Sequence, residues 1–427
     1  MARHRKKARL DSTPCGWSVR LCILGALAVA AFAGLAFVHA RWIAQGPRDP
    51  RFVRFLRRHN HRANANDVIP ENGVSLDRYG APLSVAEPGS TFQKVLDELQ
   101  LASGEPVSLT IDAGLQAKAE AAMKGKSGAV VALEPSTGRI RALVSAPRAA
   151  YLNRALDGLY PPGSTFKVFM AAAALSNGLS PVYDCPAAGW RPNRSTPPIR
   201  DSEAAEFARR LKTWRGFGRI GMGEALMHSA NTYFAQLGCE LGTERFDTAV
   251  AAAKLRDGVT VLPAGTISLS SAAGGVPEGA STSGLAPIAI GQGALQLTPL
   301  AVAMFTAAVA DDGLMLAPTL SATAKPSLRA RPFTMPACAR VKKMMREAVR
   351  RGTGRTCEIA GLDVCGKTGT AQVGTGTDHA WFTCFAPEAS PRLVVTVLVE
   401  HGGFGAKAAA PVARKILLEA RELGYFE

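Results

Sequence analysis

Three short runs in this 427-residue chain carry side chains that could do chemistry together: Ser164-Thr165-Phe166-Lys167, Ser229-Ala230-Asn231 and Lys367-Thr368-Gly369-Thr370. Each alone is common and could be no more than a helix start or a strand end. In this order, and each in a fitting local context, they describe an activated serine. A serine hydroxyl is a poor nucleophile until a base removes its proton. Lys167 lies one helical turn beyond Ser164, within reach of its hydroxyl. A lysine becomes a base only when burial or a second cation destabilises its ammonium, and Lys367 supplies that cation. Ser229 can then relay a proton between Lys167 and a leaving amine, while Asn231 orients Lys167 and the amide of an acyl donor. The Lys367–Thr370 run offers a cation, two hydroxyls and a strand edge, suited to a substrate with a terminal carboxylate that adds as an antiparallel strand. The backbone N–H groups of Ser164 and Thr370 are the expected oxyanion hole.

No other chemistry competes. The histidines at 4, 39, 59, 61, 228, 379 and 401 form no serine-histidine-acid set. His228 adjoins the second run and His379 precedes a strand; packing roles are favoured for both. The eight cysteines show no CxxC or Cys/His cluster, so no metal site or redox motif is expected. Cys357 and Cys365 could bridge across a loop, or all six cysteines beyond residue 100 could be buried thiols.

The elements that must position these residues are legible from about Glu105 onward. Val107–Ile111 is strand-like, and Leu115–Met123 is helical. Ser127–Leu133 and Arg139–Val144 are strand runs joined by Glu134-Pro135-Ser136-Thr137-Gly138, a hairpin signal. Pro161-Pro162-Gly163 cannot continue a helix, so it fixes the chain just before Ser164 and leaves that serine at a helix N-terminus. Phe166–Leu175 is apolar and helical, with further helical spacing at about 223–228, 232–241, 299–310 and 339–351. Strand runs follow at about 362–373, 380–386 and 392–400, then an amphipathic helix over Val412–Leu423. Strands, helices, strands and a closing helix predict one α/β (α+β) domain. It has an antiparallel sheet flanked by helices, with the early and late strands meeting and a helical subdomain beside them.

Upstream the texture differs. Formal charge is +16, yet residues 1–62 alone hold 13 Lys/Arg against 2 Asp. The remainder is nearly balanced, which argues for a membrane rather than nucleic acid. Leu21–Val38 is apolar and bounded by Arg20 and Arg41, about the length that spans a ~30 Å hydrocarbon core. An anchor is favoured over a cleavable signal, whose apolar core is usually shorter. Flanking arginines are balanced, so the positive-inside rule does not orient it. The expected organisation is a basic tail over 1–19, a transmembrane anchor over 20–41, a juxtamembrane linker with a reduced N-terminal module over 42–104, and a catalytic domain over 105–427. Residues 91–101 have helical spacing, and residues 72–80 read as two short extended pieces joined by turns.

At these residues the chain resembles the penicillin-binding protein transpeptidases, whose S-x-x-K, S-x-N and K-T-G set its three runs reproduce in order. The likeness extends to the Gly128–Pro147 hairpin, to Ile290-Gly291-Gln292-Gly293 with Leu297-Thr298-Pro299, and to Gly352-Thr353-Gly354. Ala380-Trp381-Phe382 and Phe385-Ala386-Pro387 belong to it as well. Gly73, Asp77, Arg78 and Gly80 partly match a segment that follows the anchor in class B members, although the region between Arg41 and Glu105 is shorter than their usual pedestal domain. The resemblance implies a penicillin-binding/serine β-lactamase-like fold, no cofactor, and a membrane-anchored peptidoglycan D,D-transpeptidase. Ser164 would attack a stem peptide, and β-lactams would acylate the same serine. That substrate lies outside the cytoplasmic membrane, which places the catalytic domain there and the N-terminus inside. Membrane lipid and a polytopic glycan polymerase are the implied partners, the latter through Ala26, Ala30 and Gly34. The rivals are a D,D-carboxypeptidase, a serine β-lactamase-like hydrolase lacking a convincing deacylating base here, and a non-enzymatic β-lactam sensor or wall-synthesis scaffold.

Overall fold

Several runs, Leu393–Val399 among them, are apolar at nearly every position. A strand of that kind needs cover on both faces, because its side chains alternate between them. The computed structural model of the chain supplies that cover. It describes residues 75–79, 82, 83, 86, 90–103, 107–149, 151–202, 213–374 and 376–427. The segment 20–41 expected to span a membrane lies outside these residues, and among the described residues no helix is long and apolar enough to cross one.

The central sheet has five strands: β1 (Gly128–Leu133), β2 (Ile140–Ala146), β3 (Cys365–Ala371), β4 (His379–Ala386) and β5 (Leu393–Val399). Their spatial order is β3-β4-β5-β1-β2, antiparallel throughout. The early hairpin thus joins the late strands through β5 against β1, with Thr396 opposite Val131. On one face, Val130, Ala132, Phe382, Val395 and Val397 pack with helices α1 (Ala113–Met123) and α7 (Ala410–Glu422). On the other, Ala129, Val131, Phe385, Val394 and Leu398 pack with α2 (Phe166–Ser176) and α5 (Pro299–Ala310). Fully burying each of the larger of these side chains contributes about 1.5–3 kcal/mol. One polar seam crosses the second face. Thr306 donates to the Val302 carbonyl at 2.8 Å, and its hydroxyl meets that of Thr383 at 2.9 Å, which meets Thr396 at 2.8 Å. All three are buried.

The helical subdomain holds α3 (Met222–His228), α4 (Asn231–Leu241) and the helices Thr243–Ala252 and Thr282–Ala289. Helix α6 (Met335–Arg350) packs against α3 and against β3. The element order read from the sequence holds, with shifted ends. Helix α6 begins four residues early, because Pro336 is tolerated in a first helical turn. The strand expected over 362–373 starts only at Cys365, since Ile359 and Leu362 close a tight turn first. The Val107–Ile111 strand shortens to Val107–Ser108, because Asp112 already caps α1 by accepting from the Leu115 N–H at 3.1 Å. The hairpins Val182–Pro186 with Gly216–Gly221 and Thr260–Ala264 with Ile267–Ser270 were not anticipated.

The upstream pieces are stitched to this domain. Ser75–Leu76 pairs antiparallel with Pro82–Leu83 and parallel with Val107–Ser108. Arg78 Nη1 donates to the Tyr425 hydroxyl at 3.0 Å, and Tyr425 donates to Asp112 Oδ2 at 2.9 Å. Burial and the Asp112 carboxylate push the Tyr425 phenol well above its ordinary pKa, so it stays a donor.

All six cysteines of this region are free thiols. Cys357 and Cys365 do not bridge, for Cys365 packs on the α2/α5 face while Cys357 lies on the α1/α7 face, hydrogen-bonded to Cys384.

Candidate active site

Ser164 sits in a 3-10 turn, Gly163–Thr165, that runs directly into α2. This differs slightly from a plain helix N-terminus, and the cause is how tightly the turn is pinned. Gly163 donates to the Gly291 carbonyl at 2.9 Å, and Trp381 Nε1 donates to the Pro161 carbonyl at 3.0 Å. Tyr160 and Leu297 exchange backbone hydrogen bonds. A Cβ on Gly291 would come within 1.9 Å of the Gly163 oxygen, and one on Gly163 within 2.6 Å of the Thr370 oxygen. Both glycines also have positive φ. Three backbones therefore meet beneath Ser164 with no room for a side chain. Behind the turn, Phe166 stacks on Phe169 at 4.9 Å, and both rings meet Phe305, which anchors α2. Ser164 itself is half-buried, whereas its neighbours Thr165 to Ala173 are buried.

Lys167, one turn on, is fully buried. Its Nζ donates to the Ser229 carbonyl at 2.6 Å, to Asn231 Oδ1 at 2.6 Å and to Ser229 Oγ at 3.3 Å. It also lies 5.6 Å from the centre of the Phe234 ring. Ser229 can offer both its carbonyl and its hydroxyl because it takes the left-handed conformation (φ 62°, ψ 36°) that ends α3 before α4 begins. For a residue with a Cβ that conformation costs roughly 1–2 kcal/mol. Lys367, on β3 and also fully buried, donates to Ser229 Oγ at 2.8 Å and to the Thr368 carbonyl at 2.8 Å. Its Nζ thus points inward to the same Ser229 hydroxyl that Lys167 reaches. Thr368 is buried too, its hydroxyl 2.7 Å from that of Thr353, while Thr370 is half-exposed.

The Thr370 carbonyl faces Gln292 Nε2, at 3.5 Å, and the Gly163 backbone. In a strand the N–H and C=O of one residue share an edge, so the Thr370 N–H also faces the Ser164 turn. Gly369 pairs with Trp381 across β4. Ser164, Lys167, Ser229, Asn231, Lys367 and Thr370 are therefore gathered from α2, the α3–α4 junction and β3. His228 and His379 stay out. His228 stacks on Phe217 at 5.3 Å. His379 is buried, its Nδ1 accepting from the His401 N–H at 3.0 Å. Burial, with His401 nearby, lowers its pKa. A cavity of about 480 Å³ bordered by Gln116, Leu143, Ser145 and Asp157 includes none of the gathered residues. Sequence reasoning missed Arg200 and Asp201. Asn231 Nδ2 donates to the Arg200 carbonyl at 2.9 Å, and nothing in the local pattern of an irregular segment marks that partner.

The family described as the penicillin binding protein transpeptidase domain matches residues 128–418, and the chain belongs to that family. Peptidoglycan D,D-transpeptidase PbpA of Mycolicibacterium smegmatis is 32% identical over 351 residues, covering 70% of this chain and 67% of that protein. Peptidoglycan D,D-transpeptidase MrdA of Haemophilus influenzae is 29% identical, covering 87% and 66%. The chain thus spans about two thirds of the length of these relatives. Among solved structures, the ceftriaxone acyl-enzyme complex of penicillin-binding protein A from M. tuberculosis aligns with a TM-score of 0.65 at 29% identity, covering 77% of this chain and 83% of that one. Pseudomonas aeruginosa PBP2 in complex with WCK 5153 aligns with a TM-score of 0.67 at 27% identity, covering 82% and 96%.

Proposed function

We propose that this protein is a serine-type peptidoglycan D,D-transpeptidase, anchored in the cytoplasmic membrane by residues 20–41 with its catalytic domain, 105–427, on the outer side. Residues 1–19 are its cytoplasmic tail, and 42–104 are the linker and reduced N-terminal module. Membrane lipid and a polytopic glycan polymerase are the neighbours such an anchor serves. The observation that carries the catalytic reading is the Ser229 hydroxyl set between the Nζ atoms of two buried lysines, one of them a turn beyond a serine raised on a pinned turn. A hydroxyl has two acceptor sites and one hydrogen. With Lys167 and Lys367 occupying both acceptors, the Ser229 hydrogen is left to point into the cleft.

Ser164 Oγ attacks the penultimate D-alanyl carbonyl of a stem peptide and passes its proton to neutral Lys167. Charge developing on the carbonyl oxygen falls between the N–H groups of Ser164 and Thr370. Ser229 delivers its proton to the departing D-alanine amine and recovers one from Lys167, which returns to its neutral form, and Lys367 keeps Lys167 from holding its own proton too tightly. An amine of a neighbouring strand then takes the acyl group by the reverse path. The substrate's terminal carboxylate is met by the hydroxyls and backbone of Thr368–Thr370. Support for the substrate class comes from the relatives named above as peptidoglycan D,D-transpeptidases and from a β-lactam acyl-enzyme on a similar chain. Fluorescent penicillin tests this reading: wild type labels covalently and keeps the label, and Ser164→Ala does not label. Rapid hydrolytic loss of label would instead mark a β-lactamase-like hydrolase.

A further inference from the structure

Two residues outside the three catalytic runs hold Asn231 from behind. Its Nδ2 donates to the Arg200 carbonyl at 2.9 Å, while its Oδ1 accepts from Lys167 Nζ at 2.6 Å. The next residue, Asp201, is buried at 4% exposure. Its carboxylate takes both groups that Thr232 presents in the first turn of α4: the backbone N–H at 3.0 Å and the hydroxyl at 2.7 Å. Buried Cys185 adds a hydrogen bond to the same hydroxyl.

The consequence lies in the amide of Asn231. A terminal amide has two orientations that exchange its oxygen and its NH2. In one, the oxygen meets the Lys167 ammonium and the NH2 meets the Arg200 carbonyl. In the other, the NH2 faces an ammonium and the oxygen faces a carbonyl, so both contacts are repulsive. The choice holds only while the Arg200 carbonyl stays where it is. Residues 200 and 201 follow directly on the Trp190–Ile199 bridge and lie in neither a strand nor a helix themselves. What ties them to α4 is the pair of hydrogen bonds that Thr232, the residue next to Asn231, donates to Asp201.

We infer that Asp201 is a positioning residue for acylation: by clamping Thr232 it sets the Arg200 carbonyl against Asn231 and so selects the amide orientation that presents Oδ1 to Lys167. The step it serves is the proton transfer from Ser164 to Lys167, so the inference rests on the acyl-enzyme reading given above. The same clamp caps α4, and a cap alone would matter only to stability. The charged and titratable groups that bear on the test are Lys367 from β3, which shares Ser229 Oγ with Lys167, and Asp184 and Cys185 from the Val182–Pro186 strand, which interact with one another and, through Cys185, with Asp201.

Two measurements on the full-length protein in detergent separate the roles: the second-order rate of labelling by fluorescent penicillin from pH 5 to 9, and the titration of Lys167 followed by NMR with 13C at lysine Cε. Asp201→Ala is expected to slow labelling about a hundredfold, as a displaced catalytic group does. Because the ammonium loses its acceptor, the Lys167 titration and the acid limb of labelling both move to lower pH. Asp201→Asn keeps an acceptor for the Thr232 N–H and is expected to recover most of the rate. An Asp201→Ala protein with a lower melting temperature but an unmoved acid limb and an unmoved Lys167 titration would overturn the inference and leave a helix cap. If wild type takes no label at all, the acyl-enzyme reading fails, and the Lys167 titration by itself decides the clamp in either direction.

Discussion

Lys367 Nζ donates to Ser229 Oγ across 2.8 Å, although 138 positions separate the two residues in the chain. The contact welds the helical subdomain to the outermost strand of the sheet. It also holds a second positive charge next to the hydroxyl that Lys167 touches from the other side. Replacing this cation should therefore damage chemistry more than architecture. Lys367→Met, which keeps the stem and removes the charge, is expected to lower the rate of penicillin labelling about 10²–10³-fold, with near-native circular dichroism. Stopped-flow labelling checks this.

Ser229 gives a case in which activity and stability separate. Its left-handed backbone suits glycine and strains any residue with a Cβ. Ser229→Ala loses the hydroxyl and keeps the strain; Ser229→Gly loses the hydroxyl and releases the strain. Both should fail to label at a useful rate. The glycine variant should be more stable than the alanine variant by about 1 kcal/mol, as read by denaturant unfolding.

Gly291 has no tolerance for a side chain, because a Cβ there meets the Gly163 carbonyl. Relief would displace the Ser164 turn relative to β3 and distort the oxyanion site. Gly291→Ala is expected to destabilise by about 1–3 kcal/mol and to cut labelling by at least tenfold beyond any loss of folded protein. Titrating active sites with an excess of penicillin separates the two effects.

His379 links stability to pH. Its buried Nδ1 accepts a backbone N–H, so the folded state wants it neutral, and its pKa lies below the ordinary value near 6.5. The unfolded chain binds a proton first as pH falls, so this contribution is full above about pH 6.5 and lost as pH drops through that value toward the lower folded pKa. The groups facing the ring are His401, Glu400, Asp378 and Tyr160. The melting temperature should fall between pH 7.5 and 5.5, and His379→Gln should flatten part of that fall. An unchanged slope in the variant would remove His379 from the account.

The threonine seam predicts non-additivity. Thr383→Val takes away the partner of the Thr396 hydroxyl and one partner of Thr306, for a cost of about 1–3 kcal/mol. Adding Thr396→Val should cost less than the two single changes combined, because no orphaned hydroxyl then remains on β5. Denaturant melts of both single variants and the double variant test this.

The parts of this molecule that could be read beforehand are those with a local cause. The Pro-Pro-Gly turn, the 3.6-residue spacing of α2 and α4, and the unbroken apolar runs of β4 and β5 each state their structure within a dozen residues. The meeting of Ser164, Lys167, Ser229, Asn231 and Lys367 was legible because their chemical types make sense only together. Tertiary choices were not. The separation of Cys357 from Cys365 depends on which face of the sheet each packs against. Asp201 escaped notice because an acidic residue in an irregular stretch resembles any solvated carboxylate until Thr232 is seen beside it.

The neighbouring of β1 and β5 has a bearing on how the chain comes to be folded. The early hairpin is made long before its partner strand, and most of the domain's length intervenes. A growing or threading polypeptide therefore carries an oily ribbon with one open border until residues 393–399 appear, a topology that closes slowly and invites intermolecular pairing meanwhile. Assembly of this protein should depend on a holding chaperone during that interval, and shortening the chain to end before β5 should yield aggregates rather than a smaller working enzyme.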